Sequence, residues 1–454
     1  MKSIALAVLL LAFAWTALSC AGAETGGWSI ALLALVLLAV PLLARSQAPR
    51  LERWLAWPLA LLPAWALFAI VPLPAAVVRL ISPTRAVLSS PLPGSEYIPL
   101  STFPALTLME WTHWAGYILL FLIVRELAWR YSATRAPWVA VLPLVVVGCL
   151  EAALGLTQAF TGASGDMGAH GTYTNRDHFA ALLEMALPFP VMFGLTALRR
   201  GRSREGSPLR PALIACGSFA AASLLLLGAV YSFSRMGFIA SLFALGVAGA
   251  FAIPRKRWLL AVPAAGLLLL IYLPPDQLVA RFADLSTADK IASQDRLEVW
   301  RQTLSLAAAY PITGCGLGTY ESAFMPFKRS APLATDNYAH NDYLQYLAEL
   351  GIPGLALGLI LVVGLMTMAA RAASRQRSSS GRALAVACFA SMSALLLHSL
   401  VDFNSYIPAN AFAAAWVAAV AASTMFASGH LRAPGPARPP AVVSICMANL
   451  ANPA

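Results

Sequence analysis

Apolar runs of membrane-spanning length recur along almost the whole chain. A helix needs about 20 predominantly apolar residues to cross the hydrocarbon core of a bilayer. Only 11% of the residues are charged, against about 25% in soluble domains, so a soluble globule of this size is excluded. We therefore predict an all-α integral membrane protein with about twelve transmembrane helices, at residues 3–21, 28–44, 54–74, 106–124, 137–160, 179–198, 212–231, 237–253, 258–274, 352–370, 383–401 and 408–427.

The positions of the basic residues predict how these helices are oriented. The chain carries 31 Lys and Arg residues against 20 Asp and Glu residues, and most of the basic ones fall in alternate short gaps between apolar runs. Cytoplasmic loops of membrane proteins are enriched in Lys and Arg, which places both termini in the cytoplasm and predicts that the first run is retained as a helix. Only Glu52, Glu126 and Glu205 then lie inside among the acids. The excess of positive charge thus reflects topology and membrane lipids, and no nucleic-acid partner is predicted.

The long segment at residues 275–351 is predicted to be an outer, periplasmic loop, between nine helices in residues 1–274 and three in 352–427. Residues 428–454, rich in proline, are predicted to be a disordered cytoplasmic tail. Within the loop, Ser293 is expected to cap a helix that runs to about Ala309. Its Leu297, Trp300 and Leu304 recur at helical spacing and predict an apolar stripe that lies on the membrane surface or on the bundle. A second short helix is expected from about His340 to Gly351.

Four of the arginines on the predicted outer face stand out as candidate site residues: Arg176, Arg235, Arg296 and Arg301. Arg235 falls in a turn of only about five residues between two spans, at the membrane boundary, where an ion is either functional or a headgroup contact. A guanidinium binds phosphate oxygens through two parallel hydrogen bonds and stays charged at any working pH, which suits a lipid pyrophosphate. Arg296 and Arg301 are about 140° apart on a helix, so we favour Arg296 and assign Arg301 a supporting role.

His340 is the histidine of the long loop and the candidate general base. Free histidine has a pKa of about 6.5, which suits proton abstraction near neutrality, although a lone histidine is more often structural.

Other polar residues on or near the spans have more than one possible role. His178 and Asp177 are expected to cap a helix, and His398 and Asp402, one turn apart, to bond each other or a loop. Glu151 and Glu184, which fall within predicted spans, are proton-relay groups or packing residues.

Neither a metal site nor a cofactor site is predicted. The first outer loop offers only Glu24 as a carboxylate, and no metal-binding or phosphate-binding motif occurs in the sequence. The six cysteines are scattered without a CxxC pair, so neither a disulfide framework nor a metal cluster is implied.

Several fragments together resemble the O-antigen ligase and O-antigen polymerase family of bacterial envelope glycosyltransferases. They cover roughly residues 170–355, in the family's order around one long outer loop, and are Thr174-Asn175-Arg176-Asp177-His178-Phe179, Ser234-Arg235, Arg296-Leu297-Glu298-Val299-Trp300, Pro311-Ile312-Thr313-Gly314-Cys315-Gly316-Leu317-Gly318, His340-Asn341-Asp342-Tyr343-Leu344-Gln345 and Glu349-Leu350-Gly351.

The resemblance implies an enzyme of the bacterial inner membrane that needs neither metal nor nucleotide. It implies transfer of a glycan from undecaprenyl pyrophosphate, on the periplasmic face, to a hydroxyl of the lipid A core in ligases or of another lipid-linked repeat unit in polymerases. By resemblance, Arg235 and Arg296 bind the pyrophosphate, helped by Arg176 and Arg301, and His340 is the base. We favour a ligase over a polymerase. A twelve-span small-anion transporter is the alternative from another class, although we find no inverted repeat typical of transporters.

Overall fold

A computed structural model describes residues 2–23, 25–89, 96–163, 165, 168–202, 208–252, 287–329 and 337–424. Helices dominate this part of the chain, together with one antiparallel ribbon in which β1 (Pro72–Pro74) pairs with β2 (Tyr97–Pro99). The α-helices of the described residues are α1 Lys2–Leu18, α2 Thr25–Leu43, α3 Arg53–Phe68, α4 Ala75–Ile81, α5 Pro83–Ser89, α6 Pro104–Ala133, α7 Leu142–Thr161, α8 Arg176–Ala186, α9 Pro188–Arg202, α10 Leu209–Tyr231, α11 Arg235–Ala252, α12 Thr287–Ala309, α13 Tyr320–Phe324, α14 Asp342–Arg375, α15 Ser379–His398 and α16 Pro408–Thr424.

Eight helical stretches of the described residues are long and apolar enough to cross a membrane. Each overlaps a predicted span, so the prediction of an all-α membrane protein agrees with the fold. The stretches are Gly26–Leu43, Pro104–Ala133, Pro137–Thr161, Arg176–Gly201, Leu209–Tyr231, Arg235–Ala252, Asp342–Arg375 and Ser379–His398.

The predicted number of twelve spans is not confirmed. Three of the predicted spans correspond to the shorter helices α1, α3 and α16, of 17, 16 and 17 residues. The span predicted at residues 54–74 was wrong at its end, because α3 stops at Phe68 and residues 72–74 form β1. Pro72 and Pro74 cannot donate a backbone hydrogen bond and disfavour helix in the residues before them.

Several predicted segments cannot be compared with the structure. The span at residues 258–274, the first part of the outer loop and the tail at 428–454 lie outside the described residues.

Segments predicted to share the cytoplasmic side contact one another at one end of the bundle. The Arg130 guanidinium donates to the carbonyl of Arg45 at 2.8 Å, and Lys2 Nζ lies 3.1 Å from Thr134 Oγ1. At the end of the described chain, the Gln376 side chain donates to the carbonyl of Thr424 at 2.7 Å. Trp138, which follows α6, donates to Ser380 at the start of α15 at 2.7 Å, so the two ends of the described chain lie on the same side of the bundle.

Helix α16 is the centre of the main core. Phe412, Trp416 and Val420 are fully buried, and Phe13 of α1 stacks on Phe412 with ring centroids 5.0 Å apart. A helix buried on all sides needs no polar face, which explains why an almost unbroken alanine-rich sequence forms it.

The outer helix α12 differs from its prediction in two respects. It begins at Thr287 rather than after Ser293. Leu297 and Leu304, predicted to form an apolar stripe with Trp300, are half exposed, whereas Val299 and Leu306 are buried. The buried side chains pack in a small separate core with Tyr320 and Phe324 of α13 and Ala348 of α14, so the face of α12 that packs is set by this outer core.

The predicted second short helix is the first part of α14, and it ends at Gly351 as expected. Gly351 has φ +69°, outside helical geometry. A Cβ atom at this position would lie 2.3 Å from the carbonyl oxygen of Ile312. Both the conformation and the close approach require glycine, and the outer half of α14 is thereby fixed against the loop after α12.

Candidate functional site

Asp402, in the segment between α15 and α16, is the centre of a cluster of three histidines. Its Oδ1 lies 3.4 Å from Nε2 of His178 and 3.7 Å from Nδ1 of His340, and its Oδ2 lies 3.8 Å from Nε2 of His398. These distances exceed those of ordinary hydrogen bonds, so the contacts are chiefly electrostatic. Three separate parts of the chain meet here: α8, the segment before α14, and the end of α15.

Only one of the three imidazoles reaches the surface of the described structure. The side chain of His340 is 36% exposed, against 5% for His178 and 1% for His398. Its Nδ1 atom is buried and faces Asp402, and Nε2 lies on the opposite edge of the ring. A carboxylate beside one ring nitrogen is the arrangement that orients a histidine base, and at 3.7 Å the contact here is electrostatic rather than a hydrogen bond.

The backbone of His340 is held in a conformation that few residues adopt. Its φ is +49°, in the left-handed region. Both backbone groups of the preceding residue are bound, because Trp300 Nε1 donates to the Ala339 carbonyl and the Ala339 N–H donates to Gln345 Oε1, each at 2.9 Å. The next residue, Asn341, caps α14 through Leu344 N at 3.0 Å. Such strain concentrates at functional sites.

The surroundings of Asp402 favour its ionised form. Burial raises the pKa of the carboxyl group, but the electrostatic effect of the imidazoles around it outweighs burial, so the pKa lies well below its ordinary value. Burial also raises the pKa of the nearby Tyr338 to about 12. Asp402 is therefore a carboxylate at neutral pH, and the Tyr338 hydroxyl stays protonated and is not a candidate base.

Arg176 and Arg235 are the first residues of two neighbouring helices, α8 and α11. The helices approach closely one turn into α8, where a Cβ on Gly237 would lie 2.3 Å from the Cβ of Ala180. The Asn175 side chain caps α8 by accepting from Asp177 N at 2.8 Å. The positive ends of two helix dipoles and two guanidinium groups thus lie at the same end of the bundle, an arrangement that attracts phosphate.

Arg296 and Arg301 lie on different sides of α12. Arg296 is one turn before Trp300, whose indole contacts the residue before His340, and at 100° per residue it lies about 40° from Trp300 around the helix. Arg301 is 77% exposed and forms an ion pair with Glu298 on its own helix at 3.5 Å. The structure thus brings the helix face of Arg296 toward the His340 segment and directs Arg301 elsewhere.

Nothing in the sequence points to Asp402 as the centre of the site. His398 was expected to bond Asp402 or a loop and His178 to cap a helix, whereas both lie beside the Asp402 carboxylate in the structure. Phe403 also contributes, since its ring is stacked on Tyr338 at 4.0 Å between centroids and meets the ring edges of His178 and His340. Asp402 and His340 are far apart in sequence, and only the packing of α14 on α15 brings them together.

Carboxylate and imidazole groups are common metal ligands, so we examined whether this cluster could bind a metal ion. Within the described residues, no group of three or more His, Cys, Asp or Glu side chains could hold a metal ion. Here the three histidines surround one carboxylate and do not converge on a common point between them.

Residues 220–359 match the family model described as O-antigen ligase. The chain carries an O-antigen ligase family domain. No curated protein matches the chain.

The O-antigen ligase domain contains Arg235, Arg296, Arg301 and His340, whereas Asp402 and Arg176 lie outside the matched residues. The site is therefore assembled from the family domain and from helices on both sides of it. The match over residues 220–359 confirms the resemblance drawn from the sequence.

Proposed function

We propose that this protein is an inverting glycosyltransferase that needs no metal, most consistent with an O-antigen ligase. It transfers a glycan from undecaprenyl pyrophosphate to a sugar hydroxyl of the lipid A core, on the periplasmic face of the bacterial inner membrane, with both termini in the cytoplasm. The observation that carries the proposal is the partly exposed His340, whose buried Nδ1 faces Asp402 at 3.7 Å.

In the proposed reaction, His340 is the general base. Its Nε2 removes the proton from the acceptor hydroxyl, and the hydroxyl oxygen attacks the anomeric carbon as the bond from that carbon to the pyrophosphate breaks. The electron pair of the broken bond leaves with the pyrophosphate. The positive charge that forms on the imidazole lies next to the Asp402 carboxylate, which stabilises it.

The arginines are assigned to the leaving group. Arg235 and Arg296, helped by Arg176, bind the pyrophosphate and stabilise the negative charge that grows on it as the anomeric bond breaks. The paired N-termini of α8 and α11 support this role for Arg176 and Arg235. Arg301, paired with Glu298 on the exposed side of α12, is left with at most a supporting role.

A cavity beside the site suits a lipid-linked substrate. It has a volume of about 340 Å³ and lies among α3, α6, α14, α15 and α16. Its polar lining includes Asp342, Ser399 and Ser405, close in sequence to His340 and Asp402, and the rest is almost entirely apolar. An apolar cavity between membrane helices can accommodate a hydrocarbon chain.

The proposal is tested with purified protein and a synthetic polyprenyl-pyrophosphate glycan in the presence of a chelator. The donor is offered with lipid A core or with a second lipid-linked repeat unit as acceptor, and the products are separated on a gel. We expect transfer to lipid A core. Transfer to the repeat unit alone would identify a polymerase, and no transfer to either acceptor would contradict the proposed function.

A further inference from the structure

A chain of contacts runs inward from the site to a carboxylate buried in a membrane helix. Glu184 of α8 accepts a hydrogen bond of 3.0 Å at Oε2 from Nδ1 of His398. His398 in turn faces Asp402 at 3.8 Å, and Asp402 faces His340 at 3.7 Å. Glu184 is completely buried, so the four groups connect the surface of the site with the interior of the bundle.

The geometry of His398 indicates its charge. Each of its two ring nitrogens faces a carboxylate, Glu184 on one side and Asp402 on the other. The contact with Glu184 is a hydrogen bond of 3.0 Å, and the approach to Asp402 at 3.8 Å is electrostatic. Negative charge on both sides of the ring favours the imidazolium form of His398. An ion pair inside a membrane helix is costly and is retained mainly where it serves a function.

We propose that Glu184 and His398 are positioning residues for the reaction, and that they set the basicity of His340 through Asp402. This role rests on the proposed function of His340 as the base. Glu184 keeps His398 protonated, and the His398 cation offsets part of the negative charge of Asp402. The carboxylate then stabilises the His340 imidazolium that forms during transfer. Its attraction is still weak enough that His340 is neutral before the reaction and can accept a proton.

Several other charged groups face this series of contacts and affect the electrostatic environment of Asp402. Asp402 is approached by His178 from α8 as well as by His340 and His398. Asp177 acts electrostatically on His398, and Asp342, held by Ser405, interacts with Asp402. Among the described residues, His398 is the group that faces both Glu184 and Asp402. Its removal therefore exposes His340 to more of the negative charge of Asp402, while His178 still faces that carboxylate.

The test compares the pH dependence of single-turnover transfer in the wild type, Glu184→Gln and His398→Gln. Either substitution removes the buried cation, because a protonated His398 loses its closest counter-ion in the first case and is absent in the second. Asp402 then holds a proton on His340 more strongly. The acid limb of the rate profile, which is the pH range where the rate falls because His340 becomes protonated, therefore moves to higher pH by about one unit. Turnover falls about tenfold on the acid side and recovers at alkaline pH, while the donor KM changes little.

The double variant and a matched control make the test specific. Since both single changes remove the same cation, Glu184→Gln/His398→Gln should shift the limb no further than either alone. Its two amides can bond each other, so it also serves if a single variant does not fold. Glu126→Gln removes another buried carboxylate of a spanning helix, one that binds Ser46 and the backbone of residues 47 and 48, and should leave the limb in place.

The outcomes separate this inference from the proposed function. If His340→Ala leaves the acid limb of the wild type intact, His340 is not the base, and the proposed positioning role of Glu184 and His398 is overturned as well. If His340→Ala removes the limb but folded Glu184→Gln and His398→Gln keep it at the wild-type pH, the proposed function stands and the positioning role is overturned. An equal shift in Glu126→Gln would also overturn it.

Discussion

Trp300 on α12 donates a hydrogen bond of 2.9 Å from its indole Nε1 to the carbonyl oxygen of Ala339. The N–H of Ala339 donates to Oε1 of Gln345 of α14, also at 2.9 Å. The two helices together hold the residue before His340, and His340 keeps its left-handed backbone between them. The position of the candidate base thus depends on the docking of α12.

Replacing Trp300 with phenylalanine removes this hydrogen bond and keeps an aromatic ring. One hydrogen bond contributes about 0.5–1.5 kcal/mol, so we expect turnover to fall by roughly 2- to 10-fold as His340 leaves its reactive position more often. Donor affinity should stay near the wild-type value, since no arginine is altered. Single-turnover transfer and donor titration measure the two effects, and weaker donor binding with unchanged turnover would contradict this account.

His340→Ala separates a base from a structural histidine. A base must be neutral to accept a proton, so the chemical step of the wild type should slow about tenfold per pH unit on the acid side. The variant should lose that acid limb and turn over roughly 10²- to 10⁴-fold more slowly, with donor binding almost unchanged. The rates are measured by single-turnover transfer between pH 5 and 9, and an acid limb that persists in the variant would place the base elsewhere.

The helices could be predicted from the sequence much better than the site. Each span is an apolar run between charges, a local property, and the error at residues 69–74 arose from two prolines within such a run. The contact of His340 with Asp402 is not local, because it depends on how α14 packs on α15. The buried face of α12 could not be predicted either, since Leu297 is as apolar as Val299 and only the outer core decides which of them is buried.

Asp402→Asn keeps the size of the side chain and removes its charge. The imidazolium of His340 then loses its stabilising neighbour, so we expect the acid limb to move to lower pH, opposite to the shift expected for His398→Gln, and turnover to fall by roughly 10- to 100-fold. The measurement is the pH dependence of single-turnover transfer by Asp402→Asn and His398→Gln under the same conditions. Shifts in the same direction would show that Asp402 does not act on His340 as described.

The lowered pKa of Asp402 has a further consequence for stability. A carboxyl group whose pKa is lower in the folded state stabilises the fold above its ordinary pKa of about 3.9, and this contribution is lost as pH falls toward the lowered value. At pH 7 the contribution is fully present in the wild type. Asp402→Asn should therefore lower the thermal unfolding temperature of the purified protein at pH 7, and by less in acid.

Arg296→Ala and Arg301→Ala form a matched pair on one helix. Arg296 lies near the face of α12 that contacts the His340 segment, and its loss should lower turnover more than tenfold. Arg301 is exposed and paired with Glu298, and exposed ion pairs contribute little, so its loss should change turnover less than about threefold. Both variants should fold alike, and equal losses of activity would argue against the assignment of Arg296 to the pyrophosphate.

Arg235→Ala should abolish transfer without unfolding the protein. A bidentate contact to a desolvated pyrophosphate contributes several times the roughly 1.4 kcal/mol that corresponds to one decade of rate. Arg235→Lys should restore only part of the activity, because a point charge does not reproduce the planar guanidinium. Near wild-type transfer by purified, folded Arg235→Ala would exclude a role in pyrophosphate binding.

The close approach of Gly237 to Ala180 governs the spacing of the two positive helix ends. The bridging oxygen of a pyrophosphate fixes the separation of its two phosphoryl groups, so cations that match both groups must themselves keep a fixed separation. Because a Cβ on Gly237 would lie only 2.3 Å from Ala180, even one added methyl group would force α8 and α11 apart and carry Arg176 away from Arg235. Under the proposed function, the absence of a side chain at Gly237 keeps the two helix ends at one separation, as the binding of a pyrophosphate requires.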